Sequence, residues 1–236
     1  MGRMFEKRKH KMFARYDKMA KNFTRIGKEI AIAVKQGGAL PENNPRLRAA
    51  MQNAKGVNMP KDRVENAIKR ASSKDDKGYE EVTYEGYGAH GVAVIVECAT
   101  DNTTRTVANV RMHFNRNNGA LGTNGSVQFM FERMGVFKLD PKSVNIDELE
   151  LDLIDAGAED IEIEENEITV YCKFGEYGAM LKFFENQKIE PISSELQFVP
   201  STTKDDLTDE QIEEVLELVE ALEGDDDVQK VYHTLA

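Results

Sequence analysis

The sequence has no tryptophan, only two cysteines, six prolines and four histidines in 236 residues. Each shortage closes a class of function. Cys98 and Cys172 both lie in apolar, strand-like stretches. They are too few for a disulfide framework and suit the core of a reduced, cytoplasmic protein. The histidines, His10, His90, His113 and His233, are scattered, and no His/Cys/Asp/Glu cluster has ligand spacing. No metal site and no cofactor is therefore expected. Unbroken apolar runs reach only five residues, as at Val92 to Val96, which excludes a transmembrane helix, and no membrane partner is expected.

Catalytic constellations are also missing. No serine sits on a nucleophile elbow and neither cysteine has a local base. Glu162, Glu164 and Glu167 alternate with Ile161, Ile163 and Ile168, the pattern of a strand's wet face. Asp225-Asp226-Asp227 follows a helix pattern and is expected to solvate a turn. The expectation is a non-enzyme with no small-molecule substrate.

What the chain does have is charge, unevenly distributed. The net charge is −11. The first 77 residues carry 20 Lys and Arg against 8 Asp and Glu, a net of +12, while the other 159 carry 11 against 34, a net of −23. A basic head on an acidic body points to a nucleic-acid or acidic-surface partner for the head. The Arg/Lys-rich start is not expected to be a transit peptide, because Glu6 and Asp17 interrupt it and no serine precedes Ser72.

The head has helical periodicity. From about Tyr16 to Gln36, Phe23, Ile26, Ile30 and Val34 share one face, and Lys21, Arg25, Lys28 and Lys35 share the opposite one, expected to face water. Gly37-Gly38 ends that helix. A second helix is expected from Asn44-Pro45, burying Leu47, Met51 and Ala54, and a third from Asn58-Met59-Pro60, burying Val64, Ala67, Ile68 and Ala71. Three short amphipathic helices need one another, so residues 1–77 form a helical domain. Arg3 to Lys18 is either a helix or an arm. The candidate nucleic-acid-binding residues are Lys21, Arg25, Lys28, Lys35, Arg46, Arg48, Lys55, Lys61, Lys69 and Arg70, because phosphate neutralisation needs cations and is indifferent to base sequence.

After a polar linker the pattern turns α+β. Strands at 79–87 and 92–99, a helix at 102–117, a Gly/Asn loop to Gly125 and a strand at 126–132 form one unit. The order strand 135–139, helix 146–156, strands 160–164 and 167–173, helix 176–187 and strand 189–199 is the ferredoxin-like split unit. A helix capped by Thr208 and a strand at 227–235 remain and are expected to return to the first sheet. That makes three domains, a helical one and two α/β domains: 1–77, then 78–133 with 205–236, and the ferredoxin-like 134–204 inserted in the second.

Two glycine clusters need separating from nucleotide sites. Gly86-Tyr87-Gly88-Ala89-His90-Gly91 spells G-x-G-x-x-G, but a strand follows where a helix is required, so a glycine hairpin is expected. Gly119, Gly122 and Gly125 lack the Lys-Ser/Thr of a phosphate loop. Their amides are nevertheless candidates for close approach to a nucleic-acid backbone.

Several strings carry a resemblance. They are Asn44-Pro45-Arg46-Leu47-Arg48, Ala54-Lys55 leading to Asn58-Met59-Pro60-Lys61-Asp62, Ala67-Ile68-Lys69-Arg70 and Tyr84-Glu85-Gly86-Tyr87-Gly88. Further along stand Thr100-Asp101-Asn102 with Arg105-Thr106-Val107-Ala108, and Leu121-Gly122-Thr123 leading to Gly125-Ser126-Val127. Together they resemble the YebC/PmpR family over essentially the whole chain. The resemblance implies three domains around a large cleft and a cytoplasmic, non-enzymatic regulator, usually a probable DNA-binding transcriptional regulator. Some members instead act on the ribosome and promote translation, including of proline-rich stretches, and mitochondrial relatives are translational activators. Many members open Gly-His-Ser-Lys-Trp, where this chain has Gly2-Arg3-Met4-Phe5-Glu6. DNA, or rRNA and the ribosome, therefore both stand as the expected partner.

Overall fold

A computed structural model describes residues 3–73 and 77–236, with side chains from Met19 onward. The chain divides into two compact units, Met1–Gly78 and Tyr79–Ala236. The fold class is α+β, a helical region followed by two antiparallel sheets.

In the first unit α1 (Arg3–Gly37) is a single 35-residue helix, so the segment before Tyr16 is helical rather than an arm. Gly38 ends it with φ +85, a conformation that favours glycine, and its amide donates to the Val34 carbonyl at 2.8 Å. α2 (Pro45–Gly56) and α3 (Lys61–Ala71) both pack on α1. Asn44 caps α2 through its side-chain oxygen, which accepts the Leu47 amide at 3.0 Å. Its Nδ2 donates to the carbonyls of Ala33 at 2.8 Å and Gly38 at 2.9 Å. One buried amide thus starts α2 and satisfies carbonyls at the end of α1. Ile30, Leu47, Ala50 and Ala54 form the dry centre, with Val64 and Ala71 from α3 buried as well.

The second unit begins with β1 (Glu80–Tyr87) and β2 (Ala93–Thr100), joined by the expected hairpin at Gly86–Gly91. α4 (Thr103–Arg116) follows, capped by Asn102. The third strand differs from expectation. It is the two-residue β3 (Ala120–Leu121), inside the presumed Gly/Asn loop, and it pairs with β1. No strand forms at 126–130. There the amides of Val127 and Gln128 donate to the Glu85 carboxylate at 2.9 and 2.8 Å and are not offered to a ladder.

β4 (Phe131–Leu139) is one continuous strand of the second sheet, running through the expected boundary at 133. α5 (Ile146–Asp155), β5 (Ala158–Ile163), β6 (Ile168–Lys173), α6 (Tyr177–Gln187) and β7 (Ser193–Pro200) complete that sheet in the order β5-β6-β4-β7. Its core stacks Phe137 against Tyr177 and Phe184, with ring centroids 5.2 and 5.1 Å apart. α7 (Asp209–Glu223) starts in a capping box between Thr208 and Gln211. β8 (Val228–His233) then pairs with β2, so the chain's end returns to the first sheet, ordered β3-β1-β2-β8.

One face of the first sheet is covered by α4 and α7 through Val94, Val96, Val110, Phe114, Leu218 and Leu222. The other face, at Ala93 and Ile95, packs on Val127, Phe131 and Phe198, which joins the two sheets. A polar cluster edges that junction. Tyr232 donates to Glu97 at 2.9 Å, Arg133 lies 3.7 Å from Glu97, and Lys230 pairs with Glu195. Burial pushes the Glu97 carboxyl above its ordinary range despite these partners.

Candidate nucleic-acid interface

The ten candidate cations separate into three groups. Lys21, Lys35, Lys55, Lys61, Lys69 and Arg70 are exposed. On α3 the buried face is Val64 and Ala71, with Ala67 and Ile68 half-buried. Lys69 and Arg70 therefore point outward from its last turn, where the helix dipole favours cations. Lys61 lies 3.6 Å from Glu65 one turn on, an exposed pair that contributes little to stability and yields readily to a polyanion.

Arg25, Arg46 and Arg48 are half-buried. Arg46 donates to Gln36 Oε1 at 2.7 Å, which clamps α2 to the end of α1. Arg48 donates to the Pro41 carbonyl at 2.9 Å and the Glu42 carbonyl at 3.3 Å, bracing the loop between those helices. Both guanidinium groups have architectural work whether or not a phosphate is present. Lys35 is exposed and donates to the Ser73 carbonyl at 3.2 Å.

Lys28 corrects the sequence expectation. It is buried, at 7% exposure, and does not face water. Its helical neighbours three and four residues on, Ala31 and Ile32, are buried too. The run Ile30-Ala31-Ile32-Ala33-Val34 is buried on every side of α1, so the basic stripe is interrupted at this level. Arg63 was not among the ten. It is exposed, with its guanidinium 5.5 Å from the centre of the Phe23 ring, a cation–π contact that holds a charge on the α1–α3 seam.

In the second unit the glycine loop is not a phosphate cradle. Glu85, buried on β1, accepts from the amides of Gly125, Val127 and Gln128 at 2.7, 2.9 and 2.8 Å. Gly122 donates to the Glu85 carbonyl at 2.8 Å and Gly119 to that of Phe114 at 2.8 Å. The anion these amides hold is the protein's own. Burial alone would raise the Glu85 carboxyl, but the three backbone donors outweigh it and hold the group below its ordinary value.

The acidic run at 225–227 is a second correction. Asp227 is buried at 5% exposure, and its Oδ2 lies 2.7 Å from Arg105, 2.9 Å from the Thr106 hydroxyl and 3.2 Å from that of Thr100. Asp225 accepts from Asn109 at 3.0 Å and lies 3.5 Å from His113. Two of the three aspartates thus tie the α7–β8 turn to α4 instead of solvating it. His90 pairs with Glu214 at 2.9 Å. Cys98 and Cys172 are free and buried, and burial pushes the Cys172 thiol up to about 11, which keeps it protonated at neutral pH. Among the described residues no group of three His, Cys, Asp or Glu side chains is placed to hold a metal, and no helix is long and apolar enough to cross a membrane.

A cationic helical unit and an acidic unit of two antiparallel sheets define the class of protein. The family model of the TACO1/YebC protein N-terminal domain matches residues 3–74, and that of the TACO1/YebC second and third domain matches residues 79–235. The chain belongs to the TACO1/YebC family. It is 56% identical to a probable transcriptional regulatory protein of Anaeromyxobacter dehalogenans (strain 2CP-C), over 100% of both chains. It is 56% identical to one from Cytophaga hutchinsonii, over 100% of this chain and 99% of the relative. A crystal structure of a conserved hypothetical protein from Aquifex aeolicus superposes with a TM-score of 0.83 at 36% identity, covering 92% of this chain and 90% of the other.

Proposed function

We propose that this protein is a non-enzymatic, cytoplasmic regulator of transcription that binds DNA through its N-terminal helical unit. The observation that carries this is the +12 net charge of the first 77 residues, with Lys21, Lys55, Lys61, Lys69 and Arg70 exposed on the helical unit. The names of the relatives support a regulatory role. The ten cations are the proposed contacts less Lys28, with Arg46 and Arg48 shared between phosphate and architecture. The chain is taken as three domains, with a ferredoxin-like domain inserted in the other α/β domain. The pairing of β8 with β2 supports the insertion, and the continuity of β4 supports a start at Phe131 in place of residue 134.

The test is binding of the full chain to a random-sequence duplex at rising salt. Affinity should fall linearly on logarithmic axes, with a slope set by the number of phosphates neutralised. A salt-independent affinity, or none, overturns the proposal. Sedimentation of lysate through a sucrose gradient makes the second check. Quantitative travel with ribosomes, without duplex binding, assigns the basic head to rRNA and the protein to translation.

A further inference from the structure

The acidic body is not uniformly acidic. The 30 residues from Asn102 to Phe131 contain no Asp or Glu, in a region whose 159 residues hold 34 of them. A polyanion is repelled from most of that body but not from this segment. Within it, Phe129 is 75% exposed, the most exposed of the large hydrophobic side chains among the described residues.

Its exposure is not a consequence of slack backbone. Glu85 grips the amides of Gly125, Val127 and Gln128 just before it, and Met130 donates to the Val127 carbonyl at 2.9 Å just after. Val127 and Phe131 are buried on either side as anchors. A second aromatic reaches the same loop, since Tyr87 is 37% exposed and its hydroxyl donates to the Ser126 carbonyl at 3.2 Å. Gln128, Asn124 and Thr123 supply exposed polar side chains nearby in the chain. The carboxylate that grips the loop, Glu85, is buried and saturated by amides. A pinned, uncharged loop with an outward aromatic ring is the arrangement that stacks a base, because every base offers a π face and none needs a countercharge there.

We propose that the 122–130 loop is a second nucleic-acid contact, in which Phe129 stacks on an unpaired nucleobase. It rests on the nucleic-acid role proposed above. An unpaired base is shared chemistry between RNA and opened DNA, so the probes are labelled oligo(U), oligo(dT) and a random duplex, each titrated with the full chain. Phe129→Ala removes no charge and no buried contact. It should weaken binding of one or both single strands by roughly tenfold, with the salt slope unchanged and duplex affinity unchanged. Phe129→Tyr should restore it. The strand that loses more identifies the physiological source. A Phe129→Ala protein that binds both single strands like the wild type overturns the proposal, as does one that loses duplex affinity equally. A wild type that binds duplex but neither single strand overturns this proposal alone. A wild type that binds no probe overturns the DNA-binding role and this contact together.

Discussion

Arg105 donates to Asp227 at 2.7 Å across 122 residues of sequence, and that contact closes α4 onto the turn before the last strand. Thr100 and Thr106, both fully buried, place their hydroxyls against the same carboxylate oxygen. Asp227→Ala should therefore destabilise the second unit by about 2 kcal/mol, since the buried Thr100 hydroxyl loses its carboxylate acceptor and Arg105 its counter-ion, while Thr106 keeps the Asn102 carbonyl at 3.0 Å. Urea unfolding read by circular dichroism checks this. Arg105→Ala, which removes a half-exposed partner, should have a milder effect. Equal stability of the Asp227 variant and the wild type would mean that the cluster is incidental.

The Glu85 carboxyl sits below its ordinary value, so its stabilisation is full above the unfolded-state value of about 4.3. It is lost as pH falls through the lower folded value. Glu85→Gln should be less stable than the wild type at neutral pH by about 2 kcal/mol. The gap should narrow as the wild type is acidified past pH 4 or so. Thermal melts at a series of pH values measure it. A gap that widens on acidification contradicts the assignment.

Asn44 uses both ends of its amide, and two substitutions separate them. Asn44→Ala should destabilise the helical unit by about 2 kcal/mol. Asn44→Asp keeps the cap for the Leu47 amide but turns a carboxylate toward the carbonyls of Ala33 and Gly38. It should be at least as damaging. An Asp variant as stable as the wild type would show that the cap alone matters.

For the basic surface, the triple variant Lys21→Ala, Lys69→Ala, Arg70→Ala should stay folded, because alanine has the highest helix propensity. Its log affinity against log salt on duplex DNA should be shallower by about 0.9 for each phosphate contact removed. Lys28→Ala, at a buried position, should leave that slope unchanged. A slope altered by Lys28 and not by the triple variant would reverse the map of the interface.

The helices of the first unit and their caps were legible because their causes are local. Asn44-Pro45 and Gly37-Gly38 there, like Thr208 before α7 in the second unit, act on backbone groups within a turn of themselves, and apolar spacing of three and four reports which face is buried. The basic head and acidic body are likewise a property of composition. The tertiary structure alone decided where the carboxylates went. Asp227 meets Arg105 and Glu85 meets Gly125 across long stretches of chain, and a surface acid and a buried structural acid look alike in a sequence. The same holds for Lys28, whose position on the helical wheel was right and whose burial was set by the full apolar girth of residues 30–34. The strand expected at 126–132 forms only from Phe131, and its first five residues failed for this reason too. Local β propensity there was genuine, but a distant carboxylate took the amides that a ladder would have used.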